Sequence, residues 1–478
     1  MKIDLLYCLE NNDLCSRVIK TVSDVSDQTN IKAYLVGGFV RDIIMNRPNK
    51  DIDIVVVGNA LQFSEILAKN LGVKRVVKYE KFGTAMIPLR GMELEIASAR
   101  NEVYQQTSRN PEISFTNLDE DLKRRDFTIN AMAIALTKDD FGTFIDHFHG
   151  LQDIKNKIIR TPRDPFETFF DDPLRMLRAI RFASRFNYSI EKETFVAIQK
   201  CAERIEMISR ERVRDEFMKI LEIHKPSEGL RMLDKSGLMN YLFPEIQNLK
   251  GIDTVNGYSH KDVYVHTLKV LDNVAQASDD VILRLTALYH DVGKPKTKRF
   301  LKGIGWTYHG HEDLGARMFM HFGRKLRLSQ KSVKRICRLI KLHLRPIAVA
   351  AENVSDSAVR RLMVEVGEDV ESLMILCRAD ITSKNERRIK KYRKNFEFVA
   401  QRMKEVDEKD KLRAFQSPVD GMEIMDIFNL KPGPSVGNIK KHVENRILDG
   451  HIPNEYNEAL DYILKNKEKL IDMYVRNG

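Results

Sequence analysis

The sequence predicts an α+β protein, with a small mixed-sheet head at the N-terminus followed by mostly helical neck, central and tail segments. Three observations predict this. Short runs rich in Val, Ile and Leu crowd into the first hundred residues, bounded by turn-forming or charged residues. From about residue 120 apolar residues recur instead at three- and four-residue spacing, as at Leu174, Leu177, Ile180 and Ala183. The 478 residues, 43% of them hydrophobic, leave room for three or four domains with buried cores.

The elements follow in order. Residues 33–36 form a short apolar strand, Gly37-Gly38 turns it, and a helical stretch runs to about Met45. Residues 52–57 form a second strand and 61–70 a helix. Further strands are expected at 73–78, 84–89 and 94–97, the last two joined in a hairpin by Gly91. Nearly everything after residue 120 reads as helix, with Pro162, Pro165 and Pro173 punctuating the entry. Polar stretches at 251–260 and 407–417 mark further boundaries, giving expected divisions of 1–150, 151–250, 251–400 and 401–478. The densely basic stretch 384–394 reads as a solvated helix face before it reads as an RNA contact.

Composition narrows the function. No apolar run is long enough to span a bilayer, and the N-terminus lacks the charged and apolar regions of a secretion signal, so a cytoplasmic protein is expected. Cys8, Cys15, Cys201, Cys337 and Cys377 are dispersed without CxxC spacing, which argues against disulfides and against a thiolate metal site. The net charge of +11 suits a polyanionic partner, RNA or DNA; basic residues scattered over exposed helices would give the same total.

The first chemical signature is Gly37-Gly38-Phe39-Val40-Arg41-Asp42 followed by Asp51-Ile52-Asp53. Asp51 and Asp53 lie two apart, so on a strand they share a face. Two carboxylates so placed call for a cation, and a hard divalent ion such as Mg²⁺ suits oxygen ligands. Two such ions can polarise an α-phosphate, activate a 3′-hydroxyl and stabilise pyrophosphate. Gly37 and Gly38 allow backbone N–H groups close to phosphate at a helix start, with Arg41 one turn on to meet a phosphate or brace a carboxylate. DxD pairs and GG turns are each common; together, one helix and loop apart, they are far more specific.

These segments resemble the signature of the class II tRNA nucleotidyltransferase and bacterial poly(A) polymerase family. The likeness continues through Arg124-Arg125-Asp126-Phe127-Thr128-Ile129-Asn130, through Ile145 to Asp153, through Asp171-Asp172-Pro173-Leu174-Arg175 with Arg178, and through Ser209 to Val213. It covers roughly the first half of the chain. The resemblance implies a polymerase-β-like head, phosphate and ribose contacts from Arg125 and Asp126, with Asn130 and Arg178 in the same nucleotide site, and base selection by Asp172 and Arg175. The last two lie three apart and are expected on one helical face. Glu95 is the candidate third acid, with Glu93 two residues away on the same face. Asp171, His147 and His149 depart from the family's usual Glu, Pro and Gly; the histidines fall in a connecting loop.

A second signature lies further on. His266 sits on an apolar helix, then come His290-Asp291 in the string HDVGK, His311, His343 and Asp380. His and Asp together suit a divalent metal. The set resembles the HD phosphohydrolase superfamily, which implies a metal (Mg, Mn, Ni or Fe), phosphoester cleavage and a phosphate-steadying role for Lys294; a degenerate HD scaffold is the alternative. The closing segment, Pro432 to Gly437 with 439–447, resembles the tail of bacterial tRNA nucleotidyltransferases and implies a tRNA contact.

The leading expectation is thus an enzyme that adds CCA to tRNA 3′ ends from CTP and ATP, with Mg²⁺. Sister readings are a poly(A) polymerase or an enzyme adding only part of CCA. A phosphohydrolase with a nucleotide-binding half, and a non-catalytic RNA chaperone, are the readings from other classes. Sequence gives no oligomeric state.

Overall fold

The computed structural model describes residues 13–49, 51–103, 112–255, 258–259, 262–349, 356–382, 386–410 and 417–475. Met1 to Asp4, Cys8, Lys50 and parts of the 251–260, 384–394 and 407–417 stretches lie outside the described residues. The chain divides into two compact units, Met1–Pro244 and Glu245–Gly478.

The first unit opens with helix α1 (Asp13–Thr29), strand β1 (Lys32–Val36), α2 (Gly37–Ile44), β2 (Asp51–Val57) and α3 (Ala60–Leu71). Asn59 caps α3 by accepting the Leu61 and Gln62 N–H groups, and Gly72 closes it in the left-handed conformation. Then follow β3 (Val77–Tyr79), β4 (Thr84–Leu89), β5 (Met92–Ser98), a separate hairpin of β6 (Arg100–Val103) and β7 (Glu112–Phe115), α4 (Leu118–Lys123), β8 (Ala133–Ala135) and β9 (Phe144–Ile145). The main sheet has the order β3-β4-β5-β2-β1-β8-β9, with β2 and β5 parallel and its other pairs antiparallel. Ile52, Ile54 and Val56 alternate with Asp51, Asp53 and Val55 along β2. The first three enter the core with Leu94 and Ile96 of β5, against Val18, Val22, Phe63 and Leu67 of α1 and α3. The opposite face keeps the acids and a smaller cluster of Val36, Val55, Leu118, Leu122 and Ala133.

Two expectations need correction here. The run 73–78 is not a strand throughout: β3 begins only at Val77. Nor does the sheet end near residue 120, because β8 adds beside β1 and β9 follows it. The β8 segment is buried on both faces, so its Ala-Ile-Ala run carries no alternation to announce a strand.

Helices complete this unit: α5 (Gly150–Asn156), α6 (Pro165–Asp171), α7 (Leu174–Phe186), α8 (Lys192–Cys201), α9 (Arg210–Leu221) and α10 (Pro226–Lys235). α7 packs against α9 and α10, and α6 against α8.

The second unit is helical apart from two-stranded pairs at Thr254–Val255 with Tyr258–Ser259 and at Arg299–Leu301 with Gly305–Thr307. Its helices include α11 (Val263–Ala277), α12 (Val281–Tyr289), α13 (His311–Lys325), α14 (Gln330–Leu342), α15 (Asp356–Val366), α16 (Val370–Asp380) and α17 (Glu386–Asp410). α11 packs on α12 and α16, and α13 on α14, around a core of Val270, Leu283, Leu339, Leu362 and Leu376. Four closing helices, α18 (Gly421–Phe428), α19 (Pro434–Leu448), α20 (Tyr456–Lys465) and α21 (Lys467–Tyr474), share a separate core around Ile439, Val443 and Ile463. Among the described residues no helix is long and apolar enough to cross a membrane.

Candidate active sites

The parallel pairing of β2 with β5 sets Asp51 opposite Glu93 and Asp53 opposite Glu95. All four side chains line one cavity of about 900 Å³. Burial raises the Asp53 carboxyl to about 6, with Glu95 and Asp51 adding to the rise against the pull of Arg125. This is the electrostatic mark of a site that favours a cation. Gly37 has φ +69°, and a Cβ there would lie 2.9 Å from Arg125 Nη1 and 3.2 Å from Asp53 Oδ2, so glycine keeps the space beside the acids open. Gly38, Arg41, Arg125, Asp126, Asn130, Asp172, Arg175 and Arg178 line the same cavity. Every transferase residue expected from sequence is therefore brought together.

Their couplings were not legible. Asp126 is buried, and its carboxylate accepts four N–H groups: Phe127 N and Asn130 Nδ2 on Oδ1, each at 2.9 Å, and Arg178 Nε and Nη2 on Oδ2, at 2.8 and 2.6 Å. Burial alone would raise its pKa, but Arg178 and the other donors lower it to about 2. Arg41, also buried, donates to Asp42 and to Asn130 Oδ1 and lies over the Phe182 and Phe186 rings. It braces carboxylates directly and through Asn130. Arg125 pairs with Asp121, which also holds Arg124. A continuous polar chain thus runs from α2 through Asn130 and Asp126 to α7.

Asp172 and Arg175 do not share a helical face. Pro173 separates α6 from α7, and Asp172 sits at the break in extended backbone (φ −136°, ψ 96°). Its carboxylate accepts Leu174 N and Arg212 Nη2, and its link to Arg175 is a backbone one, Arg175 N donating to the Asp172 carbonyl at 3.0 Å. Arg175 is buried, and its Nη1 has no hydrogen-bond partner. Sequence reasoning also missed Glu216, which holds Arg181 at 2.6 Å and lies 3.6 Å from Arg178. Asp121 had a signal, since it stands three and four positions before its arginines on a helix. Arg212 lies in the Ser209 to Val213 stretch of the family likeness, but its partner Asp172 is forty positions away and was not legible; Glu216 had no signal, its partner Arg181 lying thirty-five positions away.

In the second unit the six HD residues converge. His266 Nε2 lies 2.9 Å from Asp380 Oδ1 and 3.4 Å from Asp291 Oδ2, and His290 Nε2 lies 3.3 Å from Asp291 Oδ2. His311 and His343 place Nε2 3.3 and 3.9 Å from Asp291 Oδ1. His266, His290 and Asp380 make one cluster suited to a metal ion, and Asp291, His311 and His343 another. The Nδ1 atoms of His290, His311 and His343 sit 2.6–2.8 Å from the carbonyls of Ala287, Tyr308 and Ile340. Those bonds place the proton on Nδ1 and leave Nε2 as a ligand atom. Each of these Nε2 atoms, with Asp291 Oδ1, is buried without a hydrogen-bond partner. Burial disfavours a charged His290, yet Asp291 and Asp380 outweigh it and hold its pKa up at about 10, so the site calls for positive charge. Lys294 reaches Asp291 Oδ2 at 2.5 Å. The donor set fits divalent metal.

Comparison with known proteins finds matches in the segments that hold both sites. Residues 33–160 match the model for the poly A polymerase head domain, residues 187–250 that for a probable RNA and SrmB-binding site of polymerase A, and residues 263–385 that for the HD domain. The CCA-adding enzyme of Streptococcus mutans is 29% identical over 91% of this chain and 93% of its own. The chain is similar to the class II tRNA nucleotidyltransferases and poly(A) polymerases along nearly its whole length, with a match to the HD domain after the transferase half. Other relatives match in part. The A-adding tRNA nucleotidyltransferase of Aquifex aeolicus is 40% identical over 41% of this chain, which spans only 25% of that protein. Among solved structures, the Thermotoga maritima CCA-adding enzyme complexed with tRNA is 25% identical, with a TM-score of 0.61 over 98% of this chain and 99% of that one. A CCA-adding enzyme complexed with CTP is 26% identical, with a TM-score of 0.62 over 98% and 99%. The nucleotidyltransferase head and the HD domain imply dependence on divalent metal.

Proposed function

We propose that this protein adds CCA to the 3′ ends of tRNA, taking CTP and ATP as donors, by attack of the RNA 3′-hydroxyl on the nucleotide α-phosphate with release of pyrophosphate. The observation that carries the reading is the acidic face of β2 and β5 inside a cavity walled by arginines. Asp51 and Asp53 would hold Mg²⁺, with Glu95 as third acid; bound there, the ion supplies charge neutralisation at the phosphates. Gly37 and Gly38 leave the phosphate path open, and Arg125 faces it. Asp172 and Arg175 present an acceptor and a donor to the base. Asp126, Asn130, Arg41 and Arg178 position these groups through their buried hydrogen bonds. The division of labour follows: 1–150 the transferase head, 151–250 the base-selecting neck, 251–400 the HD part and 401–478 a tRNA-contacting tail, all in the cytoplasm.

The test is incubation with Mg²⁺, CTP, ATP and a tRNA transcript ending at the discriminator base. Stepwise addition of three nucleotides, lost in Asp51→Ala and Asp53→Ala, is the expected result. A homopolymeric A tail without CTP use would replace the reading with poly(A) synthesis, and a single A added only to a CC end would replace it with A-addition.

A second activity has its own observation, the inward-facing Nε2 atoms of His290, His311 and His343. We read the HD part as a metal-dependent phosphoesterase. His290→Ala should abolish hydrolysis of a model phosphodiester by the Ni²⁺- or Mn²⁺-loaded protein and leave nucleotide addition in place.

A further inference from the structure

The Asp172 carboxylate is gripped on both oxygens. Oδ1 accepts the Leu174 backbone N–H at 3.2 Å and Oδ2 accepts Arg212 Nη2 at 2.9 Å. The first donor belongs to the turn that carries Asp172; the second comes from the first turn of α9. Asp172 stands in extended backbone between two helices. The terminal torsion of an Asp is broad, and one hydrogen bond leaves the carboxylate free to swing. A second donor on the other oxygen fixes its plane. Arg175, buried with Nη1 unpartnered, lines the same cavity as Asp172 and Arg212.

We infer that Arg212 is a positioning residue for nucleobase selection: it holds the Asp172 carboxylate in the plane where Asp172 and Arg175 present one acceptor–donor pattern. Cytosine and adenine both offer an amino donor beside a ring-nitrogen acceptor. Uracil and guanine offer a carbonyl beside a ring N–H, the reverse order. A fixed carboxylate paired with a fixed guanidinium therefore admits the first two bases and leaves the other two with opposed dipoles. A swinging carboxylate loses that contrast while its charge remains. The Arg212 side chain is 53% exposed, so its removal opens no cavity in the core. The inference rests on reading this cavity as the site of nucleotide choice.

The test compares kcat and KM for CTP, ATP, UTP and GTP on tRNA transcripts ending at the discriminator base or at CC. In Arg212→Ala, discrimination against UTP and GTP should fall about ten- to hundredfold, the value of a hydrogen bond to a charged group. The loss should appear as a higher KM for CTP and ATP, with the thermal midpoint held. Arg212→Lys, which keeps the charge and a donor, should recover part of it. Equal losses of kcat for all four nucleotides, or discrimination unchanged in Arg212→Ala, would overturn the inference. Wild-type protein that uses all four nucleotides alike would instead remove the reading of the cavity on which it stands.

Discussion

Asp126 accepts four N–H groups, about as many as a carboxylate has acceptor positions. Its pKa of about 2 lies below the unfolded value, so it stabilises the folded state fully above about pH 4 and loses that contribution as pH falls through about 2. The contribution is on the order of 2 kcal/mol. Acid titration of stability should show this loss in the wild type and a smaller one in Asp126→Asn. At neutral pH the same variant leaves the Arg178 guanidinium without the carboxylate charge that its Nε and Nη2 share on Oδ2. Urea unfolding should place the cost at about 3–5 kcal/mol; a cost under 1 kcal/mol would mean that Glu216 takes over the charge. Asp126 was legible in the sequence because its motif is local. Its function as a hub was not, because Arg178 is fifty-two positions away and enters only when α7 packs on the head.

At the scale of elements, β2 and the hairpin of β4 and β5 were legible because alternation and a Gly91 turn are local signals. The head's last strands and the break at Pro173 were not, because the doubly buried β8 does not alternate, β9 is only two residues long, and a proline between two helical patterns gives no angle. Two loops carry predictions. A Cβ at Gly293 would fall 2.2 Å from the His311 carbonyl oxygen and 2.9 Å from Gly315 N, both backbone atoms that cannot yield. Gly293→Ala should therefore displace His311 and weaken Mn²⁺ or Ni²⁺ binding in the second unit, read by calorimetric titration. Unchanged affinity would mean that the loop relaxes elsewhere. His149 has φ +61° at the N-cap of α5, where the family's glycine carries no such cost. His149→Gly should raise stability by up to about 1 kcal/mol, the left-handed penalty less the glycine's greater unfolded freedom; a lower thermal midpoint would refute this.

At the scale of the whole molecule, the +11 charge predicts that tRNA affinity falls steeply between about 50 and 200 mM salt, with a linear log–log slope. A filter-binding series flat in salt would contradict it. The acidic face of β2 and β5 has one more consequence, which concerns timing. Parallel strands cannot pair through a tight turn, and here α3, β3 and β4 come between them. Glu93 and Glu95 therefore reach Asp51 and Asp53 only after that whole crossover has folded, and a one-residue slip would send a strand's acids to the opposite face. A nascent or partly folded chain holds Asp51 and Asp53 without Glu93 and Glu95 opposite them. The face that carries all four acids is therefore complete only in molecules whose sheet has closed from β2 through to β5.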